Sequence, residues 1–70
     1  MTIYSKSRSY ELAIKHFLNA IKYDAQNGGF YYNLGIAYLE MGKKEKAKPY
    51  IQKSAHLGYK PAQVWISKNE

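Results

Sequence analysis

A chain of 70 residues without cysteine is at most one domain; it buries only about 60% of the surface its unfolded form exposes, and disulfide staples and thiolate metal sites are closed to it. Eleven Lys plus Arg against five Asp plus Glu give a formal charge of +6, which favours acidic partners such as nucleic acid or acidic peptides. The apolar stretches are only a few residues long and Met1 to Lys6 holds no apolar segment, so neither a membrane span nor a secretory signal is read and a soluble chain is expected.

Taken in chain order, the first helical pattern runs from Ser9 to Tyr23. Leu12, Ala13, Phe17, Ala20 and Ile21 fall on one face, Ile14 and Leu18 widen it, and Lys15, His16, Asn19 and Lys22 fill the rest. Ser9 suits the cap, Glu11 the positive end of the helix dipole, and Asn27-Gly28-Gly29 offers left-handed backbone to stop the helix. A second helix follows from Phe30, Tyr31, Leu34, Ala37, Tyr38 and Met41, with Gly42 as its stop.

The third pattern covers Lys44 to Leu57, with Ala47, Tyr50, Ile51, Ser54 and Ala55 inward and Gly58 ending it. Pro49 lies beyond the first turn and Lys43, Lys44 and Lys46 oppose the dipole, so a bend or a late start near Pro49 is expected. Pro61 then opens a short fourth helix, Ala62 to Ile66, whose Trp65 packs back on the third and which frays towards Glu70.

Sliding the chain along itself by 34 residues pairs Tyr4 with Tyr38, Ala13 with Ala47, Phe17 with Ile51, Ala20 with Ser54 and Tyr31 with Trp65. Small residues fall opposite small ones and an aromatic opposite an aromatic. The run Tyr31-Tyr32-Asn33-Leu34-Gly35-Ile36-Ala37-Tyr38, followed by Gly42 and Ala47, resembles the tetratricopeptide signature of aromatic, Leu-Gly, Tyr, then Ala. Lys53 to Gly58 followed by Ala62-Gln63 also looks like the repeat junction of Sel1-like proteins, a close relative.

The resemblance implies an all-α fold, antiparallel helix pairs stacked as a short α-solenoid of three helices plus a short fourth. Residues 9–27 would be the second helix of a truncated repeat, 28–61 one complete repeat, and 61–70 the start of a following or capping helix. In that register Gly35 and Ala47 let the paired helices approach, Ala13 and Ala20 do the same for the next helix, and Tyr31 and Tyr38 fill the space between. The family's boundary proline is absent at Ala25 and Tyr59, and Ser54 replaces a usual alanine. Tyr4 falls on the position of Tyr38, so the first repeat reads as truncated, its apolar face covered by the rest of a longer array or by a second copy.

The function implied by the resemblance is binding of a protein or peptide, without catalysis. Its groove side would be Gly29, Tyr32, Asn33, Ile36, Leu39 and Glu40, of which Tyr32, Asn33, Ile36, Leu39 and Glu40 are the candidate peptide-binding residues; helical spacing puts them together independently. Ile36 and Leu39 are apolar on a face expected to be wet. Asn33 stands where such repeats hydrogen-bond a peptide backbone, but the basic residues of a carboxylate clamp are missing, the following helix offering Gln63 and Ser67. The alternatives are a purely structural, self-associating segment, or polyanion binding through Lys43, Lys44, Lys46, Lys48, Lys53 and Lys60. That charge run reads first as a solvated face, which makes nucleic acid the lesser partner.

No catalytic residue, metal ligand or cofactor is predicted. His16 and His56 are not spaced with an acid as a metal or general-base pair requires, and no serine sits in a nucleophile elbow. Gly28-Gly29 lacks the strand and the Gly-x-x-x-x-Gly-Lys pattern of a phosphate loop. The missing cysteine fits a reducing compartment, the cytoplasm first among them.

Overall fold

A computed structural model describes the backbone of residues 2–69 and the side chains of residues 9–69. Four helices follow one another among the described residues: α1 (Thr2–Tyr23), α2 (Gly28–Glu40), α3 (Lys44–His56) and α4 (Lys60–Asn69). The most extensive packing is of α2 on α3; α1 lies against α2, and α4 against α3. The chain measures 38 × 29 × 16 Å. The Cα atoms of one helix span only about 4.6 Å, so even the short dimension takes in more than one helix.

Two small clusters make the core. Ile14, Leu34 and Ala37 join α1 to α2, with Phe17, Ile21 and Met41 against them. Ala47, Ile51 and Ala62 join α3 to α4, with Tyr32 and Leu39 of α2 and Trp65 and Ile66 of α4 around them. Both the expected docking of Trp65 and the close α2–α3 approach are present. A Cβ built on Gly35 would lie 2.5 Å from Cγ1 of Ile51 and 3.2 Å from the Ala47 carbonyl oxygen. The bare backbone of Gly35 is therefore what allows the two helices to touch.

Helix ends follow from local chemistry. Gly42 and Gly58 adopt φ of +78° and +93°, the left-handed region where a side chain is strained. Around each, the next N–H reaches back to the last turn: Lys43 donates to the Tyr38 carbonyl at 2.9 Å and Tyr59 to that of Ser54 at 3.1 Å. These are Schellman closures that satisfy otherwise orphaned carbonyls.

Several expectations are corrected. Asn27-Gly28-Gly29 does not stop α1 with left-handed backbone, since positive φ is confined to Gly42 and Gly58 among the described residues. Instead Asn27 caps α2, its side chain accepting from the Phe30 N–H at 3.3 Å, and both glycines are helical. Gly28 is needed for space: a Cβ there would lie 2.8 Å from that of Tyr59. Ser9 is not a cap, because α1 already starts at Thr2. Serine inside a helix costs only tenths of a kcal/mol relative to alanine, so the helix continues through a stretch with little apolar pattern. Tyr4 thus shares one continuous helix with Ala13, whereas Tyr38 and Ala47 sit on separate ones; the 34-residue match fails at that pair.

Pro49 neither delays nor divides α3, which starts at Lys44 and contains it. As the sixth residue of the helix, Pro49 removes only the bond to the Glu45 carbonyl, at an exposed residue where water replaces the lost donor. Lys43 supplies no side-chain cap, and Glu45 is the acidic residue in a first turn otherwise rich in lysine. The fourth helix is longer than expected, reaching Asn69.

Ser54 is fully buried, and its Oγ donates to the Gly28 carbonyl at 2.6 Å. The departure from alanine at this small-residue position therefore adds a tie between the end of α3 and the start of α2. Ser54→Ala should destabilise the fold by about 1 kcal/mol, lowering the thermal midpoint by about 4–8 °C in a domain of this size; far-UV circular dichroism melts measure it.

Candidate functional site

The five candidate residues all lie on α2, at spacings that place them on adjoining strips of one helix, but their surroundings differ. Tyr32 is half-buried, its ring 5.3 Å from that of Tyr59 at an interplanar angle of 49°. Leu39 is half-buried against the α3–α4 cluster. It is therefore not a freely wetted apolar residue, because the cluster of Ala47, Ile51 and Ala62 covers part of it. Ile36 is half-buried yet, among the described residues, belongs to neither core cluster. Asn33 is exposed.

Glu40 is exposed and turns towards α1, where its Oε1 accepts a hydrogen bond from the Tyr10 hydroxyl at 2.8 Å. That bond, with slight burial and the neighbouring carboxylate charge, holds the Tyr10 phenol above its usual pKa. Deprotonation would break the bond and set two anions side by side. Glu40 thus ties α1 to the end of α2, at one edge of the face shared by Tyr32, Ile36 and Leu39. Gln63, a neighbour offered by the sequence on α4, is also engaged: its Nε2 donates to the Ala55 carbonyl at 3.0 Å.

Neither the Tyr10–Glu40 bond, which spans 30 residues, nor the Tyr32–Tyr59 contact carries a local sequence signal. Another arrangement was hidden in the lysine run. Lys46 Nζ lies 5.8 Å from the centroid of Tyr38, and Lys53 Nζ lies 5.7 Å from that of Tyr31. Tyr38 is in turn stacked on Tyr50, 5.6 Å apart and 8° from parallel. Next to Lys46 opens a shallow concavity of about 410 Å³, lined by Gly42, Lys43, Lys44, Glu45 and Lys46.

His16 and His56 are exposed, on α1 and α3. Among the described residues no three His, Cys, Asp or Glu side chains gather as metal ligands would. Nor is any described helix long and apolar enough to cross a membrane.

A family model described as TPR repeat matches residues 3–42, and one described as Tetratricopeptide repeat matches residues 29–56. No solved structure matches the chain. The two matches overlap on α2, the helix that carries Leu34, Gly35 and Tyr38 and packs on α1 and α3 together. Repeats of this kind are in general scaffolds for protein–protein interaction. Packed antiparallel helices, the glycine-mediated approach of α2 to α3 and these matches together place the chain in the tetratricopeptide repeat family.

Proposed function

We propose that this chain is a non-enzymatic binding module that holds a protein or peptide segment on α2, through Tyr32, Asn33, Ile36, Leu39 and Glu40. In this reading residues 28–61 form one complete repeat, α1 is the second helix of the repeat before it and α4 the first helix of the repeat after it. The observation that carries it is Ile36, a large apolar side chain that is half-buried but, among the described residues, used by neither core cluster. An apolar group left over from the core, beside the exposed amide of Asn33 and the half-buried ring of Tyr32, has the make-up of a binding hot spot with a polar rim. Asn33 supplies both a donor and an acceptor for a peptide backbone.

Ile36→Ser tests the proposal because it removes the contact without opening a core. Helix content by circular dichroism should be unchanged, while affinity for the protein captured most strongly from native lysate should fall about thirtyfold. Full affinity in the folded variant rejects α2 as the binding face. Leu39 is the poorer probe, since it also packs against the α3–α4 cluster and its loss would mix stability with binding.

A further inference from the structure

We propose a second interaction site, independent of the α2 face: the tyrosine-backed lysines Lys46 and Lys53 form a two-point receptor for the carboxylates of an acidic protein segment. The two lysines are seven residues apart on α3, two helical turns or about 10.5 Å along one face. Their ring partners Tyr38 and Tyr31 are also seven apart on α2, in the opposite order, so the antiparallel helices bring them into register as two matching rungs.

A tyrosine face restrains an ammonium without cancelling its charge; a carboxylate would do both. Lys46 and Lys53 are exposed, and among the described residues neither is paired with an acid. A surface lysine ordinarily loses rotamer freedom when it takes a ligand. Here the ring has already narrowed that freedom, and the charge stays available. The surrounding field has the same sign: the chain carries +6, and Lys43 and Lys44 line the concavity adjoining Lys46.

The same arrangement argues for an acidic polypeptide over nucleic acid. Binding a single strand without a sequence motif relies on open aromatic faces for base stacking. Tyr38 is stacked on Tyr50 and overlain by Lys46, and Tyr31 is overlain by Lys53. Carboxylates need only the ammonium groups. Two acids about 10 Å apart fit the rungs, which is three residues along an extended segment or seven along a helix.

The test uses the full chain with a labelled oligoglutamate and a single-stranded oligodeoxynucleotide of equal charge, followed by fluorescence anisotropy at low and physiological ionic strength. Oligoglutamate should bind more tightly than the oligonucleotide, and weaken with salt. Replacing both rungs, Lys46→Gln with Lys53→Gln, should weaken it about tenfold. The same charge removed from α1, Lys15→Gln with Lys22→Gln, should have little effect, and Lys46→Arg with Lys53→Arg should restore binding. In the unmodified chain, bound oligoglutamate should shield Lys46 and Lys53 from acetylation more than Lys15 and Lys22, a readout that needs no variant to fold. Equal losses from the two glutamine pairs, tighter oligonucleotide binding, absence of binding at low salt, or unshielded rungs would each overturn the proposal.

Discussion

Gly35→Val should strip the fold of about 3 kcal/mol or more, a large part of its total stability. The first added carbon would sit 2.5 Å from Cγ1 of Ile51 and 3.2 Å from a backbone oxygen at Ala47. Ile51 is fully buried, so its Cγ1 has no room into which to retreat, and the Ala47 carbonyl moves only if α3 moves. Overpacking of this kind typically costs about 1–3 kcal/mol for a few added methylenes. Valine brings two further methyls and a restricted χ1 in a helix, which puts the loss at about 3 kcal/mol or more. Total stability for a chain of this length is of the order of 4–10 kcal/mol. Helix content and its urea dependence measure the outcome; a variant with wild-type stability would mean that α2 and α3 are not in contact at Gly35.

A milder pair locates the strain. Gly35→Ala gains up to about 1 kcal/mol of helix propensity but meets the same two atoms, for a net loss of about 1–2 kcal/mol. In an Ile51→Ala background the Cγ1 is gone, and the added methyl has space. The losses should then be non-additive by about 1 kcal/mol, in the direction of rescue.

This contact was legible in the sequence through the tetratricopeptide resemblance, whose register sets Gly35 and Ala47 where paired helices approach closely. The glycine stops at Gly42 and Gly58 were legible for a local reason: a periodic pattern ends and a residue free to take positive φ follows. What escaped was set by weaker or non-local forces. Thr2 to Arg8 has no apolar stripe, so the extension of α1 rests on continuity with the helix that follows. Asn27 next to two glycines can close one helix or open another. The choice falls to opening because its side chain reaches the Phe30 N–H and because Gly28 must pass close to Tyr59. Pro49 does not delay the start of α3, because its missing bond falls at an exposed position where water replaces the donor.

The proposed binding face was legible as a face, not as a surface. Spacing alone gathers Tyr32, Asn33, Ile36, Leu39 and Glu40 on α2, but how much of each stays open depends on α4 and α1. α4 brings Trp65 and Ile66 to the cluster that also takes up Leu39, and Tyr10 claims the Glu40 carboxylate. Ile36 is the residue left between them. The lysine–tyrosine rungs did have a sequence signal, the repeated interval of seven in Tyr31 and Tyr38 and again in Lys46 and Lys53. It becomes visible only when the two helices are known to run side by side.

Ile51→Ala should be about as damaging as Gly35→Val, and its comparison with Phe17→Ala shows how unevenly the fold is supported. The two positions are 34 residues apart and match in the internal alignment. Ile51 is completely buried, with α2 on one side and α4 on the other. Removing three carbons there opens a cavity that cannot collapse without parting Gly35 from α3, which costs about 3–4 kcal/mol. Phe17 is larger, yet it is only half-buried; α1 packs on α2 along one side and turns Leu12, 60% exposed, and Tyr23, 94% exposed, to water. A phenylalanine truncated in a full core loses about 3–5 kcal/mol, whereas here about 2 kcal/mol is expected, since part of the ring is already wet. Chemical denaturation of the two variants decides it. An equal or larger loss at Phe17 would mean that α1 is covered in solution, by a neighbouring helix, on the side this structure leaves open.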